Sequence, residues 1–376
     1  MRKTVAVFFG GKSCENEISV LTGVFVLNLL DKEKYLPFPI YIHTDGVAYT
    51  SPRMESLAPF REKRYDKFQR IFLDGGSVYA FNPKKGRIKR LAKLDAALNC
   101  CHGGLGEGGG VSALAAWNGI PFASPDLTSS GAFLDKGTTK ILMRALGVPT
   151  VEYIRIREKD FARRAAFLLR TVESRLKYPV VVKPSKLGSS IGISLAKNEE
   201  ELKTALATAF ALDDCAVVEK YLAEKQDVNC AAYSLNGEIY VSEPERAFGE
   251  GIYSFEEKYI KRKEDGDLGV NMEKGGGRVA LSGELREKIR AYTRTVYKRM
   301  NMSGVVRLDF LISEGKAYLC EVNTVPGSLA YYLFCERVSD AKNFFSDLID
   351  DAIARGAEEK EVLQTGILRT VRWQGK

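Results

Sequence analysis

The sequence predicts an α/β opening followed by further sheets and helices, in two or three domains, and three observations carry that expectation. Thr4–Phe9 (TVAVFF) is a continuous apolar run that enters Gly10–Gly11 and then an apolar-periodic helix from about Asn16 to Leu30, which is the opening of a βα unit. Between residues 153 and 219, strand-like and helix-like patterns alternate. Near the end, Val305–Ile312 and Lys316–Asn323 read as a hairpin turning at Gly315. A length of 376 residues suffices for several cores.

Glu15 and Glu17 stand at the start of the first helix, where the dipole favours carboxylates and where an ammonium could also be held. Leu36–Ile42 is the expected second strand. Residues 44–95 are polar, basic and turn-rich, and read as an elaboration of the first domain. Leu94–Cys101 returns to a strand and ends in His102, followed by six glycines in the eight positions 103–110. So much glycine is unfavourable unless the backbone must approach something closely. His102 beside that loop is a candidate site residue, or a solvated loop histidine.

Helix patterns cover about 112–118 and 127–146, the second containing Lys136, which could reach phosphates or lie on a surface. Tyr153–Ile156, Pro179–Lys183, Ile191–Leu195 and Ala216–Glu219 read as strands, with helices at 158–174 and 199–211. Asn198 and Glu201 carry a capping-box pattern. The segment VVVKPSKLGSSIG (180–192) is a hairpin with a small, hydroxyl-rich tip and Lys183 ending one strand. Such a tip can fold N–H groups over phosphates, and a lysine ending an apolar strand needs an anionic partner. Two more strands are expected within 228–247. The polar, glycine-rich stretch 249–277 has the length of a lid. Ser282–Met300 is an amphipathic helix, and a last helix falls around 338–355.

In the hairpin 305–323, alternation places Arg307 and Asp309 on one face and Leu308 and Phe310 on the other. With Gly315 at the turn, Asp309 lies opposite Glu321 and Arg307 opposite Asn323. Facing carboxylates repel unless a cation lies between them, and Mg²⁺ takes carboxylates together with phosphate oxygens. Leu319 and Val322, an odd step apart, conflict with simple alternation.

The seven cysteines are odd in number, and several lie in apolar runs, as expected of reduced core residues in a cytoplasmic protein. The first strand begins at once after Met1, leaving no room for a signal peptide, and no apolar run is long enough for a membrane span. The formal charge of +8 is modest and spread out, and no nucleic-acid motif accompanies it, so neither nucleic acid nor membrane is an expected partner.

These residues line up with a family. FFGGKSCENEIS (8–19), CHGGLGEGG (101–109), LDKGTTK (134–140), VVVKPSKLGSSIG (180–192), VEKYL (218–222), FEEKY (255–259) and RLDF…EVNTVPG (307–327) occur in the order found in the D-alanine-D-alanine ligases of the ATP-grasp superfamily. The chain resembles them to about residue 355. The resemblance implies an α/β and α+β protein with the ATP-grasp fold. It would comprise an N-terminal Rossmann-like substrate domain (1–134), a central lobe (135–225) and a C-terminal lobe with lid and metal site (226–376). It implies ATP-dependent joining of two D-alanines through an acyl phosphate, for peptidoglycan precursors, in a homodimer.

By the same similarity, Asp309, Glu321 and Asn323 would hold two Mg²⁺ ions, with Mn²⁺ as a substitute. Lys136, Lys183 and Lys258 would meet phosphates. Glu219, Lys220, Tyr221 and Leu222 would meet the adenine, and Gln226 the ribose. Arg307 and the Gly327 N–H would form the oxyanion site. Glu15, with Ser189 and Tyr259 as partners, and His102, near Glu107, would serve the first substrate. Tyr259 and Leu333 resemble the dipeptide-forming branch. The chain departs from the family pattern at Asn16, Gly108, Gln226, where a glutamate is usual, and Tyr332, where a serine is usual. A phenol at 332 reshapes the second substrate's pocket, so another D-amino or hydroxy acid acceptor stays open, as does a non-catalytic ATP-binding regulator.

Overall fold

The computed structural model describes residues 2–82, 86–247, 281–357, 363 and 365–369. The stretch expected to form a lid, with Lys258 and Tyr259, lies outside the described residues. Three sheets organise the rest.

In the first sheet, β1 (Lys3–Gly10) pairs in parallel with β2 (Tyr35–Ile42) on one side and β7 (Ala96–Asn99) on the other. Val5 to Phe9 are fully buried, as an apolar run without alternation requires when both sheet faces are covered. The crossover helix α1 (Asn16–Leu29) packs closely: a Cβ on Gly23 would lie 2.4 Å from the Phe9 ring. Residues 44–95 extend this sheet through β3 (Ala48–Thr50), the short α2 (Ala58–Arg61), β4 (Gln69–Asp74), β5 (Ser77–Asn82) and β6 (Arg87–Lys93). The resulting strand order is β6-β5-β4-β3-β2-β1-β7.

Next come α3 (Val111–Trp117), α4 (Leu127–Leu134) and α5 (Lys136–Ala145). The single helix expected over 127–146 is thus two. Asp135 leaves the helix (φ −89°, ψ 111°) and its carboxylate accepts the Thr138 N–H at 2.7 Å, starting α5 afresh.

The second sheet, of order β10-β9-β11-β8, joins β8 (Tyr153–Arg157), β9 (Val180–Pro184), β10 (Ser194–Ala196) and β11 (Cys215–Lys220). The strand expected at Ile191–Leu195 forms slightly later, as β10, because the serine-rich tip before it coils. Helices α6 (Glu158–Leu176) and α7 (Glu199–Phe210) cover one face with Leu169, Val172, Leu202 and Leu206. Asn198 caps α7, but Glu201 accepts the Lys197 N–H and not that of Asn198, so the box closes one residue early.

The third sheet contains β12 (Gln226–Leu235), β13 (Glu238–Val241), β14 (Glu245–Arg246), β15 (Val305–Ser313) and β16 (Lys316–Asn323). The apolar stripe of α8 (Gly283–Arg299) packs on it through Leu285, Ile289 and Val296. The final helix, α9 (Ala341–Ala357), returns to the first sheet's side, where Phe345 meets Phe25 of α1. That return brings the end of β16 to the first sheet's carboxyl edge.

The hairpin β15–β16 pairs Asp309 with Glu321 and Arg307 with Asn323, though not by the simple turn expected. Glu314 (φ 49°) and Gly315 (φ 69°) form a two-residue turn that alone would set Asp309 against Cys320. A bulge between Asp309 and Phe310 leaves Cys320 as the extra residue on β16 and restores the pairing. It also resolves the alternation conflict, since Leu319 (0% exposed) and Val322 (4%) both reach the core.

Four of the seven cysteines are buried, Cys320 and Cys335 are half-buried, Cys14 is exposed, and all seven are free thiols. Among the described residues no helix is long and apolar enough to cross a membrane.

Candidate active site

The polar face of the hairpin is a linked set of charges. Arg307 donates to both oxygens of Asp309, Nε at 2.7 Å and Nη2 at 2.9 Å, and its Nη1 donates to the Tyr332 hydroxyl at 3.1 Å. Asn323 Nδ2 donates to Asp309 at 3.0 Å. Burial opposes the Arg307 charge, but Asp309 outweighs it and holds the guanidinium well above its ordinary pKa.

Lysines close in from two elements. Lys136, the first residue of α5, donates to the Leu187 carbonyl at 2.5 Å and lies 3.4 Å from Glu321. Lys183 on β9 lies 2.8 Å from Glu219 on β11 and 3.5 Å from the Cys320 sulfur at the bulge. Glu219 is also 2.9 Å from Lys140, one turn along α5 from Lys136. Burial would raise the Glu219 pKa, yet the two lysines pull it down to about 2, so it stays ionised. The loop after β9 is anchored by Ser185, which donates to Asp135 at 3.0 Å. Its tip, Ser189 and Ser190, is left-handed (φ 51° and 60°).

A third edge comes from the first sheet. Ser189 donates to Glu15 at the start of α1, tying the second sheet's loop to the first sheet's crossover helix. A Cβ on Gly103 would lie 2.5 Å, and one on Gly188 2.9 Å, from the Glu15 carboxylate, so both glycine-rich loops are glycine where they pass this group. Glu107 accepts the Gly103 N–H at 2.7 Å and the Val325 N–H at 3.4 Å, stapling the glycine loop to the end of β16. Burial, and then the nearby Glu15 charge, push its pKa up to about 7. His102 is buried, with Nε2 2.8 Å from the Thr22 hydroxyl, which also accepts the Ser328 N–H at 3.4 Å. Burial, and then Arg307, lower the His102 pKa to about 4, so it is neutral near pH 7. It is not the solvated loop histidine that the sequence left open.

Beyond Gly327 the chain makes a left-handed turn at Ser328, Leu329 and Ala330 (φ 48°, 54°, 50°), all buried. Each such residue costs about 1–2 kcal/mol, so packing against α1 and α9 must hold them there. A Cβ on Gly327 would meet nothing within 4 Å, which leaves room beside it.

Asp309, Glu321, Asn323, Arg307, Lys136, Lys183 and Glu219 therefore form one connected cluster, with Glu15, Ser189, His102 and Gly327 on its first-sheet side. Lys220, Tyr221, Leu222 and Gln226 follow Glu219 at the junction of the second and third sheets. The N–H groups of Lys220 and Tyr221 are engaged with the Glu152 and Pro179 carbonyls, so these two are not open to a ligand. Lys140 and Thr22 were missed by sequence reasoning. The four-residue step from Lys136 could have pointed to Lys140, whereas nothing local marks Thr22.

Comparison with known proteins identifies the family. The family models for the D-ala D-ala ligase N-terminus and C-terminus match residues 4–125 and 142–354. The D-alanine–D-alanine ligase of Thermosipho melanesiensis is 30% identical over 378 residues, covering 97% of this chain and 98% of the relative. The crystal structure of the Helicobacter pylori D-alanine-D-alanine ligase superposes with a TM-score of 0.76 at 26% identity, covering 93% of this chain and 98% of that one. VanG D-Ala:D-Ser ligase from Enterococcus faecalis shares the fold, with a TM-score of 0.71 at 23% identity over 95% of this chain and 100% of its own. With both family models matched in order along the chain and ATP-grasp sheets beneath them, the protein belongs to the D-alanine–D-alanine ligase family.

Proposed function

We propose that the protein is an ATP- and Mg²⁺-dependent ligase that joins two D-alanines into D-alanyl-D-alanine for peptidoglycan precursors, in the cytoplasm and as a homodimer. The observation that carries this reading is the convergence of Lys136, Lys183 and Arg307 on the face that holds Asp309, Glu321 and Asn323. Phosphoryl transfer needs positioned positive charge more than any other protein group.

In this reading Glu15, oriented by Ser189, receives the ammonium of the first D-alanine. The carboxylate of that substrate attacks the terminal phosphorus of ATP and ADP leaves, while Lys136 and Lys183 balance the phosphate charge. The amine of the second D-alanine then attacks the acyl carbon, loses a proton, and inorganic phosphate departs. Arg307 and the Gly327 N–H stabilise the oxygen that becomes negative in between. Glu219, Lys220, Tyr221, Leu222 and Gln226 hold the nucleoside. Neutral His102 acts by hydrogen bonding through Thr22, keeping the turn that carries Gly327 in place. Lys258 and Tyr259, from the stretch proposed as lid, complete the phosphate and first-substrate contacts and exclude water from the acyl phosphate.

The donor set fits a hard cation: facing carboxylates of Asp309 and Glu321, with the Asn323 carboxamide beside them, are the oxygen ligands that Mg²⁺ accepts. Bound there as two ions, Mg²⁺ (or Mn²⁺) would offset phosphate charge.

A second reading keeps the chemistry and changes the acceptor. Tyr332 supports it, because the phenol contacts the catalytic guanidinium at 3.1 Å and narrows the space beside it. Incubation with ATP, Mg²⁺ and a panel of D-amino and D-hydroxy acids, followed by phosphate release and mass spectrometry, tests both. Dipeptide from D-alanine alone supports the first reading. A mixed product formed in preference supports the second, and the absence of both phosphate release and product with every acid in the panel defeats both.

A further inference from the structure

Lys140 has no part in the chemistry above, yet its side chain is 1% exposed, and a buried ammonium is unfavourable without an anion. It has one: Glu219, 4% exposed, which it shares with Lys183. Its other contacts are the Val151 carbonyl at 3.4 Å and the Tyr153 ring at 5.2 Å. Two ammonium groups thus divide one carboxylate. Alongside, Lys136 lies against Glu321 and Arg307 against Asp309. The triad of Lys140, Glu219 and Lys183 therefore carries one more positive than negative charge. Lys183 is where that charge meets the site, since it also reaches Cys320 on β16, beside Glu321, at 3.5 Å.

We propose that Lys140 is a positioning residue for the nucleotide: by holding one oxygen of Glu219, it leaves Lys183 with charge that is not neutralised and that draws the anionic polyphosphate. Without Lys140, Lys183 and Glu219 close into a neutral pair, and an approaching anion meets a dipole in place of a net charge. The inference rests on the reading that Lys183 meets ATP phosphates, and it gives Glu219 a second role.

The test is the affinity of the full-length enzyme for ATP and for adenosine, measured by calorimetry with Lys140→Met, Lys140→Met/Glu219→Gln and Lys183→Ala. Lys140→Met is expected to weaken ATP about tenfold and adenosine by less than about twofold. The double variant restores the surplus charge and should recover the preference for ATP over adenosine. Unchanged ATP affinity in Lys140→Met, or equal loss of ATP and adenosine, overturns the proposal. Should Lys140→Met fail to fold by circular dichroism, Glu219→Gln alone decides: it leaves both lysines unopposed and must raise the ratio of ATP to adenosine affinity, and an unchanged or lower ratio overturns the proposal. Lys183→Ala separates the two levels. If it binds ATP like wild type, the phosphate reading itself fails; if it loses ATP while Lys140→Met does not, only the role of Lys140 falls.

Discussion

Arg307→Met is the substitution whose consequences follow most directly from the geometry. Arg307 and Asp309 are 17% and 19% exposed at their side chains and joined by two charge-assisted bonds. Removing one partner of such a pair leaves a poorly solvated charge, at a cost of about 3–5 kcal/mol when burial is complete. The residual exposure here puts the expectation near the lower end, about 3 kcal/mol. Glu321, directly across the hairpin, adds like-charge repulsion once the guanidinium is gone. For a chain of 376 residues melting as one unit, that loss lowers Tm by about 4 °C. Arg307→Met/Asp309→Asn should regain most of the loss, because the carboxylate that lost its guanidinium is then a neutral amide. Millimolar Mg²⁺ should stabilise Arg307→Met more than wild type, in which the guanidinium competes for the same carboxylate. Thermal and urea denaturation followed by circular dichroism measure all three. A loss below about 1 kcal/mol, a double variant no better than the single one, or equal responses to Mg²⁺ would refute the reasoning.

Three other outcomes are expected. Glu107 has its folded pKa raised from 4.5 to about 7, so its contribution to stability is complete below pH 4.5 and is lost as pH rises through 7. Wild type should therefore lose about 3 kcal/mol against Glu107→Gln over that interval, and a difference independent of pH in denaturation series rejects this. Ser189→Ala removes the bond to Glu15, and should raise KM for the first D-alanine about tenfold while stability changes by about 1 kcal/mol or less; steady-state kinetics with an unchanged KM would contradict the assigned role. Tyr332→Phe takes the phenol oxygen from Arg307 and should alter KM for the second substrate and the product mixture while leaving ATP binding intact; equal shifts in every constant would point to general disruption.

How far the site could be seen in the sequence depended on how local each feature is. Arg307 and Asp309 share a face because alternate strand residues must, and Glu15 sits at a helix start that GGKSCENEIS announces. The pairing of Asp309 with Glu321 was expected for an incomplete reason. The turn alone misses it by one residue, and the bulge at Cys320, which the neighbours Leu319 and Val322 only hinted at, supplies the correction. The break at Asp135 is a helix cap, masked in the sequence by apolar periodicity that runs on across 127–146. The sharing of Glu219 by two lysines joins residues 79 positions apart, the span from 140 to 219, and no periodicity reports that.

Taken alone, the amino-acid order determined the succession of strands and helices, the polar face of the hairpin and the places where glycine admits a close approach, since these follow from steric and hydrophobic rules acting over a few residues. Tertiary structure decided which charges meet: Lys183 and Lys140 at Glu219, Ser189 at Glu15, and Thr22 with His102 under the left-handed turn. Those contacts are energetic only because packing of three sheets removes them from water, and desolvation is a property of the assembled chain that no single segment carries.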